Sequence, residues 1–170
     1  TIELKYMTAK EEDILTSRNL IQKGIVLDKL LESVIVDENV SLNDLLLGDK
    51  NAIMIATRVL GYGKDYTVSL TDPDTGEKQE ETFDLTQIAD KKIDKKLFKG
   101  GKNEFEFDLP ASKTKILFRL LTHKEEKEID VELKALRKFT KESGISSEIT
   151  TRLKKAIVSV GGDTSLKRIN

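Results

Sequence analysis

Three acidic residues beside a predicted turn have the types and spacing that could bind a metal ion. Asp72, Asp74 and Glu77 fall within six consecutive positions, and carboxylate oxygens are the ligands that calcium and magnesium prefer. The run does not fit the twelve-residue EF-hand loop, which requires glycine at its sixth position and glutamate at its twelfth. A turn is the favoured interpretation, and a metal-dependent hydrolase built on these residues is the alternative from another functional class.

Other candidate motifs have simpler structural explanations. The run Gly61-Tyr62-Gly63-Lys64 lacks the spacing of a phosphate loop and follows a predicted helix, so it is expected to end that helix. The paired acids at 11–12 and 125–126 are expected in first helical turns, where the helix dipole favours negative charge. His123 is expected at the surface. The sequence therefore predicts no catalytic centre.

The composition excludes several classes of protein. The 170 residues include no cysteine and one histidine, which excludes disulfides, thiolate metal sites and all-histidine zinc sites. Lys and Arg number 29 against 30 Asp and Glu, and a formal net charge of −1 gives no global attraction to nucleic acid. No apolar run approaches the roughly 20 residues that span a bilayer. We expect a soluble intracellular protein that needs no cofactor and binds neither membrane nor nucleic acid.

The small net charge hides two local patches of opposite sign. Residues 72–84 hold six acids and one lysine, whereas residues 91–102 hold six lysines and one aspartate. The basic stretch ends in Gly100-Gly101 and is the best linker candidate in the chain. A solvated linker is favoured there over phosphate binding, with nucleic-acid binding kept as a third hypothesis.

The first half of the chain is predicted to be mainly helical. Alternation over residues 1–7 indicates a half-buried strand. Thr8 and Glu11 then form a capping box that opens a helix ending near Gly24. A second amphipathic helix follows over residues 27–35. An apolar helix over residues 52–60 is expected to be the central buried helix.

The second half alternates predicted strands and helices. Residues 66–70 and 81–85 flank a Pro- and Gly-containing turn and predict a hairpin. Two further strands are predicted over residues 104–109 and 115–120. Helices are expected over residues 124–141 and from Ser146 or Ser147 to Val160.

An internal repeat is the most informative pattern. Residues 4–12 read LKYMTAKEE and residues 118–126 read FRLLTHKEE, each a strand with a basic residue before a capping box. Residues 30–37 and 153–160 give a weaker echo. Independent capping boxes are the alternative, but the matching strand favours duplication of a strand–helix–helix unit.

The repeat defines the predicted fold and domains. We expect an α+β, helix-rich protein of two related strand–helix–helix lobes with a β-hairpin insertion. The N-terminal lobe with the hairpin spans residues 1–85, a basic linker spans 86–103, and the C-terminal lobe spans 104–170. The second lobe lacks a counterpart of the helix over 52–60, so the natural chain is expected to continue beyond Asn170.

Several segments in order resemble the baseplate hub protein family of T-even-type contractile-tailed bacteriophages. They are residues 7–12 (MTAKEE), residues 58–63 (RVLGYG), the following hairpin, and residues 105–110 (FEFDLP) leading to 118–122 (FRLLT). Members of that family often carry a Cys-Pro-x-Cys-Gly knuckle in the hairpin. Here the aligned stretch is Asp72-Pro73-Asp74-Thr75-Gly76, so the resemblance implies no metal at this tip.

The resemblance implies a non-enzymatic structural component of the tail baseplate that binds neighbouring hub or wedge proteins during tail assembly. A transient assembly chaperone is the alternative within the same class. The implied location is the virion, with the host cytoplasm during assembly. The expected partner-binding residues are Arg58, Tyr62, Lys64, Asp72, Asp74, Lys92, Lys95 and Lys96.

Overall fold

The computed structural model describes residues 1–89, 98, 101–139 and 147–165. The chain divides into two compact units: unit 1 comprises residues 1–42 and 48–92, and unit 2 comprises residues 43–47 and 93–170. Each unit combines helices with antiparallel strand pairing. The predicted α+β class is therefore confirmed.

The helices of unit 1 follow the predicted starts but not all the predicted lengths. They are α1 (Ala9–Thr16), α2 (Arg18–Gln22), α3 (Val26–Val34) and α4 (Leu47–Tyr62). The capping box is present, with the Thr8 N–H donating to the Glu11 carboxylate over 2.8 Å. The single helix predicted up to Gly24 is wrong, because Ser17 adopts an extended backbone between α1 and α2.

The predicted first strand is reduced to a single bridge. Leu4 pairs with Ile35 in antiparallel fashion, and the Lys5 N–H donates to the Val34 carbonyl over 2.9 Å. The pairing cannot extend because the chain turns directly after Val36, with the Val40 N–H bonded back to the Asp37 carbonyl. Residues 1–7 therefore dock on the end of α3 without forming a regular strand.

The core of unit 1 centres on α3. Leu31 and Val34 are fully buried and Leu30 nearly so. On α4 only Ile53 and Thr57 are buried, four residues apart on one face. The prediction that the helix over 52–60 is the central buried helix is therefore wrong, since α4 buries only a single stripe.

The predicted hairpin is confirmed. Strands β1 (Asp65–Thr71) and β2 (Lys78–Asp84) pair antiparallel, with Tyr66 opposite Phe83. Directly paired residues lie on the same face of a ribbon. Tyr66 and Phe83 are both nearly half exposed, so one face of the hairpin presents aromatic surface.

The described part of unit 2 contains a three-stranded antiparallel sheet and helices of 17 and 9 residues. Its elements are β3 (Phe105–Asp108), β4 (Lys115–Phe118), α5 (His123–Phe139), α6 (Glu148–Ala156) and β5 (Ile157–Val160), with sheet order β3–β4–β5. Ile129 and Leu133 of α5 are buried. The two predicted strands and the predicted α5 are thus present.

The final helix is shorter than predicted. Residues 157–160 form β5 instead of the last turn of a helix, and Phe118 pairs with Ile157 across the sheet. The stretch Ile157-Val158-Ser159-Val160 is rich in β-branched residues, which favour strands. The apolar spacing resembled a helical stripe, but pairing with β4 determines the conformation.

Residues 43–47 complete unit 2 beside the start of α5. The Leu45 carbonyl accepts the His123 N–H over 2.9 Å, and Leu46 forms a bridge with Thr122. His123 is consequently only 4% exposed. The prediction that it lies at the surface is wrong, because no local signal showed that a segment some 75 residues earlier covers it.

Each unit contains an equivalent long-range hydrogen bond of its own, in addition to the repeated sequence. The Lys5 N–H donates to the last residue of α3, Val34, over 2.9 Å, and the Arg119 N–H donates to the last residue of α6, Ala156, over 2.8 Å. Each bond joins a basic residue shortly before a capping box to the end of a later helix. Independent capping boxes do not account for this match, so duplication remains the favoured explanation. The predicted domain boundaries at 85 and 103 stay predictions, because much of the stretch between them lies outside the described residues.

Candidate functional site

An apolar groove in unit 1 is lined by two of the predicted binding residues, Arg58 and Tyr62. We call it the α3–α4 groove, with a volume of about 440 Å³. Its lining residues include Met7, Leu27, Met54, Thr57, Arg58 and Tyr66. The sequence predicted binding through Arg58 and Tyr62, which both line the groove, but it missed the groove itself. The sequence features that could have indicated a groove are Met54 and Thr57, which lie among the apolar residues of α4.

Arg58 is held at the groove by backbone and aromatic contacts. Its guanidinium donates to the carbonyl oxygens of Gly63 (3.0 Å) and Asp65 (3.3 Å). It also lies 5.1 Å from the ring centre of Tyr62 and 5.7 Å from that of Tyr66, within the range of cation–π attraction. These contacts orient the cation without neutralising its charge.

Tyr62 connects the end of α4 to α1. Its hydroxyl donates to the Glu12 carboxylate over 2.6 Å, and this bond raises the pKa of Tyr62 above its ordinary value. The side chain is still about half exposed. Tyr62 thus presents an oriented ring at the surface of unit 1.

Thr57 has an unsatisfied hydroxyl. The residue is 4% exposed, lines the α3–α4 groove, and its Oγ1 has no hydrogen-bond partner among the described residues. Leaving a buried hydroxyl unpaired costs about 1–3 kcal/mol. Threonine at this position is therefore less favourable to folding than an aliphatic side chain of the same shape, which carries no such cost.

Lys64, a predicted binding residue, lies at the base of the hairpin. Its ammonium is 2.6 Å from the Asp84 carboxylate and 3.5 Å from that of Asp65. The hydrogen bond from Lys64, followed by bonds from Thr86, lowers the pKa of Asp84 to about 2. Lys64 therefore joins the two ends of the hairpin, and its charge is already paired.

The acidic hairpin tip is a hydrogen-bonded turn. Asp72 Oδ1 accepts the N–H groups of Asp74 (2.8 Å) and Thr75 (3.1 Å), which lowers the pKa of Asp72. Gly76 has φ +74°, and its N–H donates to the Asp72 carbonyl. Pro73 and Gly76 keep the turn chemistry that the sequence predicted, and one Asp72 oxygen is used inside the turn.

The burial of the Glu11 carboxylate was not predicted from the sequence. Glu11 is completely buried and accepts hydrogen bonds from Thr8, from Ser33 (2.5 Å) and from Lys5 (3.2 Å). The bond from Ser33, together with those from Thr8, lowers the pKa of Glu11 far below its usual range. Its role is to fasten the N-terminal segment and α1 onto α3.

The remaining predicted features lie outside the described residues or have no metal-binding geometry. Lys92, Lys95 and Lys96 are not among the described residues. Across the described ranges, no group of three or more histidines or acids is placed to hold a metal ion. No helix in that part of the chain is long and apolar enough to cross a membrane.

Comparison with known proteins gives a family match over the first part of the chain. A family model described as "T4 bacteriophage base plate protein" matches residues 1–103. Neither a curated protein nor a solved structure matches the chain. The matched residues include the α3–α4 groove and the hairpin, whereas residues 105–122, which also carried the resemblance, lie beyond them.

Proposed function

The chain belongs to the T4 bacteriophage base plate protein family, and we propose that it is a non-enzymatic structural component of the hub of the baseplate. The family match carries this proposal, because it covers 103 of the 170 residues. In this role the chain binds neighbouring hub or wedge proteins in the host cytoplasm while the contractile tail assembles, and remains in the virion.

The exposed groups of unit 1 support a docking role. Arg58 and Tyr62 present an oriented cation and ring, a combination enriched at protein interfaces. Asp74 at the hairpin tip is exposed, and Asp72 beside it fixes the turn. Lys64 supports binding indirectly by holding the hairpin base. Lys92, Lys95 and Lys96 are proposed as a further basic contact on charge alone.

The arrangement of acids supports a non-enzymatic role. Glu11 and Glu125 cap helices, and the Asp72 carboxylate closes a turn. None of the described features favours a metal-dependent hydrolase at Asp72, Asp74 and Glu77. That alternative would need calcium, magnesium or zinc to bind the purified protein in calorimetry.

Quantitative mass spectrometry of purified tails tests the proposal. We expect the chain at a fixed ratio to the other baseplate proteins. If tails lack the chain, yet cells without it make no finished baseplates, the structural role is wrong and a transient assembly chaperone takes its place.

A further inference from the structure

We propose that the α3–α4 groove binds a segment of a neighbouring baseplate protein that presents aliphatic side chains beside a carboxylate. This inference rests on the proposed function and adds the site and the chemistry of the partner. The groove volume of about 440 Å³ falls within the roughly 300–1,000 Å³ of ligand-binding sites. Its lining is aliphatic, thioether and aromatic except for Thr57 and Arg58, so the occupant is mainly apolar.

Arg58 supplies charge complementarity. Its guanidinium is fixed by two backbone carbonyl groups and two tyrosine rings. None of the carboxylates that the structure describes forms an ion pair with it. A carboxylate on the occupant gains a charge-assisted hydrogen bond to a donor that is already oriented. An occupant with a cation at the same place is repelled.

Thr57 is an independent observation that points to an occupant. Its hydroxyl is buried at the groove and has no partner among the described residues. Burying an unpaired hydroxyl disfavours folding, whereas a bound segment can satisfy it with a backbone N–H or C=O. Valine would fill the same volume without this penalty, so threonine at this position serves binding more than folding.

Exposed apolar surface favours a protein segment over a small molecule. Tyr66 lines the groove and also lies on the hairpin face that carries Phe83 and Leu70. These three side chains are 44%, 47% and 45% exposed. Glu81 and Gln79 of the opposite strand share this face, and exposed apolar side chains beside polar ones are typical of protein interaction sites. Met7 and Met54 add flexible side chains that adapt to a partner.

Methionine labelling gives a direct test. Met7 and Met54 are the two methionines of the chain, and both line the groove. Methyl-¹³C methionine therefore gives a two-signal NMR spectrum that reports on this site. The probe is a synthetic helical peptide with leucines at i, i+3, i+4 and i+7 and one adjacent glutamate. We expect saturable shifts of both signals, and binding about tenfold weaker or less when lysine replaces the glutamate.

Equal binding of the two peptides would overturn the charge assignment, and unchanged methionine signals would overturn the groove assignment. Decanoate serves as a small-molecule comparison, because it combines an aliphatic chain with a carboxylate. If decanoate shifts the signals and the glutamate peptide does not, the site takes a small amphiphile and the protein-segment proposal is wrong.

Leu27→Glu is the blocking variant, with Ile21→Glu as its matched control. Both leucine and isoleucine are about half exposed, but only Leu27 lines the groove. We expect L27E to weaken binding of the glutamate peptide at least about tenfold, with I21E close to wild type. Equal effects of the two variants would contradict the proposal.

Thr57→Val separates a binding role from a structural one. We expect T57V to raise the unfolding temperature by about 2–4 °C, because it removes an unpaired hydroxyl. We also expect it to weaken binding of the glutamate peptide about two- to tenfold. A lower unfolding temperature with unchanged peptide binding would show that the hydroxyl is structural and would overturn its assignment.

Incorporation into tails separates this inference from the proposed function. We expect I21E to be found in purified tails and L27E to be lost from them. L27E at wild-type level would overturn the groove inference and leave the baseplate role intact. Absence of the wild-type chain from purified tails would instead overturn the structural role.

Discussion

Glu11 has a structural role that its sequence motif reveals only in part. The pattern Thr8-x-x-Glu11 predicts the capping box correctly, because that motif is local. Its complete burial depends on Ser33, 22 positions later, and on the docking of Lys5. No local pattern contains these contacts, so only the capping role of Glu11 in the first turn of α1 was predictable from the sequence.

Replacing Glu11 by glutamine is expected to lower the free energy of unfolding by about 1–3 kcal/mol at pH 7, since a buried charged acceptor is lost. Glu32→Gln is the control, because the Lys29–Glu32 pair is about half exposed and such pairs contribute at most about 1 kcal/mol. Urea unfolding of the three proteins checks this. An E11Q protein no less stable than E32Q would contradict the role assigned to Glu11.

The pKa of Glu11 also fixes the direction of a pH effect. The folded protein holds this pKa below the ordinary value of 4.5, so the unfolded chain binds more protons as pH falls through that range. The contribution of Glu11 is therefore complete above about pH 4.5 and is lost progressively below it. We expect the stability difference between wild type and E11Q to shrink below pH 4.5. A difference that grows on acidification would show the opposite linkage.

At the scale of elements, the hairpin and the presence of a helix over residues 52–60 were predictable from the sequence, whereas the burial of α4 and the conformation of β5 were not. Turn residues such as Pro73 and Gly76 determine a hairpin locally. β5 depends on pairing with β4, some 40 residues earlier, which outweighs its helix-like apolar spacing. The apolar residues of α4 that remain partly exposed line the α3–α4 groove, so their composition reflects a surface as well as a core.

The Lys64–Asp84 bond is expected to hold the hairpin base. Lys64→Met should raise the pKa of Asp84 from about 2 toward its ordinary value of 3.8, with some lowering retained because Thr86 still donates to the carboxylate. Carboxyl NMR titration measures this pKa. Lys78→Met is the control, since Lys78 pairs with Thr71 at the far end of the ribbon. The same pKa in both variants would rule out the contact.

Helices α5 and α6 are joined by a bidentate ion pair. Arg152 donates through both terminal nitrogens to Glu126, over 2.6 and 2.5 Å, a geometry that lysine cannot reproduce. We expect Arg152→Lys to lower the free energy of unfolding by about 0.5–1 kcal/mol. Lys155→Arg, at the single contact with Glu128, should be close to neutral. Equal effects in chemical denaturation would argue against the bidentate geometry.

At the scale of the whole molecule, the two units have matching contacts in addition to the repeated sequence, and the proposed duplication accounts for both. Both units place a basic residue shortly before a capping box, and the backbone N–H of that residue bonds to the last residue of a later helix. The second unit keeps this framework, with Arg119 beside Glu125 (2.6 Å) where the first has Lys5 beside Glu11. The repeated residues could be read from sequence because they are contiguous. The placement of residues 43–47 in unit 2 could not be predicted from the sequence, because it depends on contacts with residues far away in the chain.

The baseplate role is the central claim, and electron cryo-microscopy of purified wild-type tails tests it most directly. We expect density in the baseplate hub that fits unit 1, with helices α1–α4 and the hairpin, and an aliphatic segment of a neighbouring protein seated in the α3–α4 groove. A complete baseplate map in which every density is accounted for by other proteins would contradict the claim.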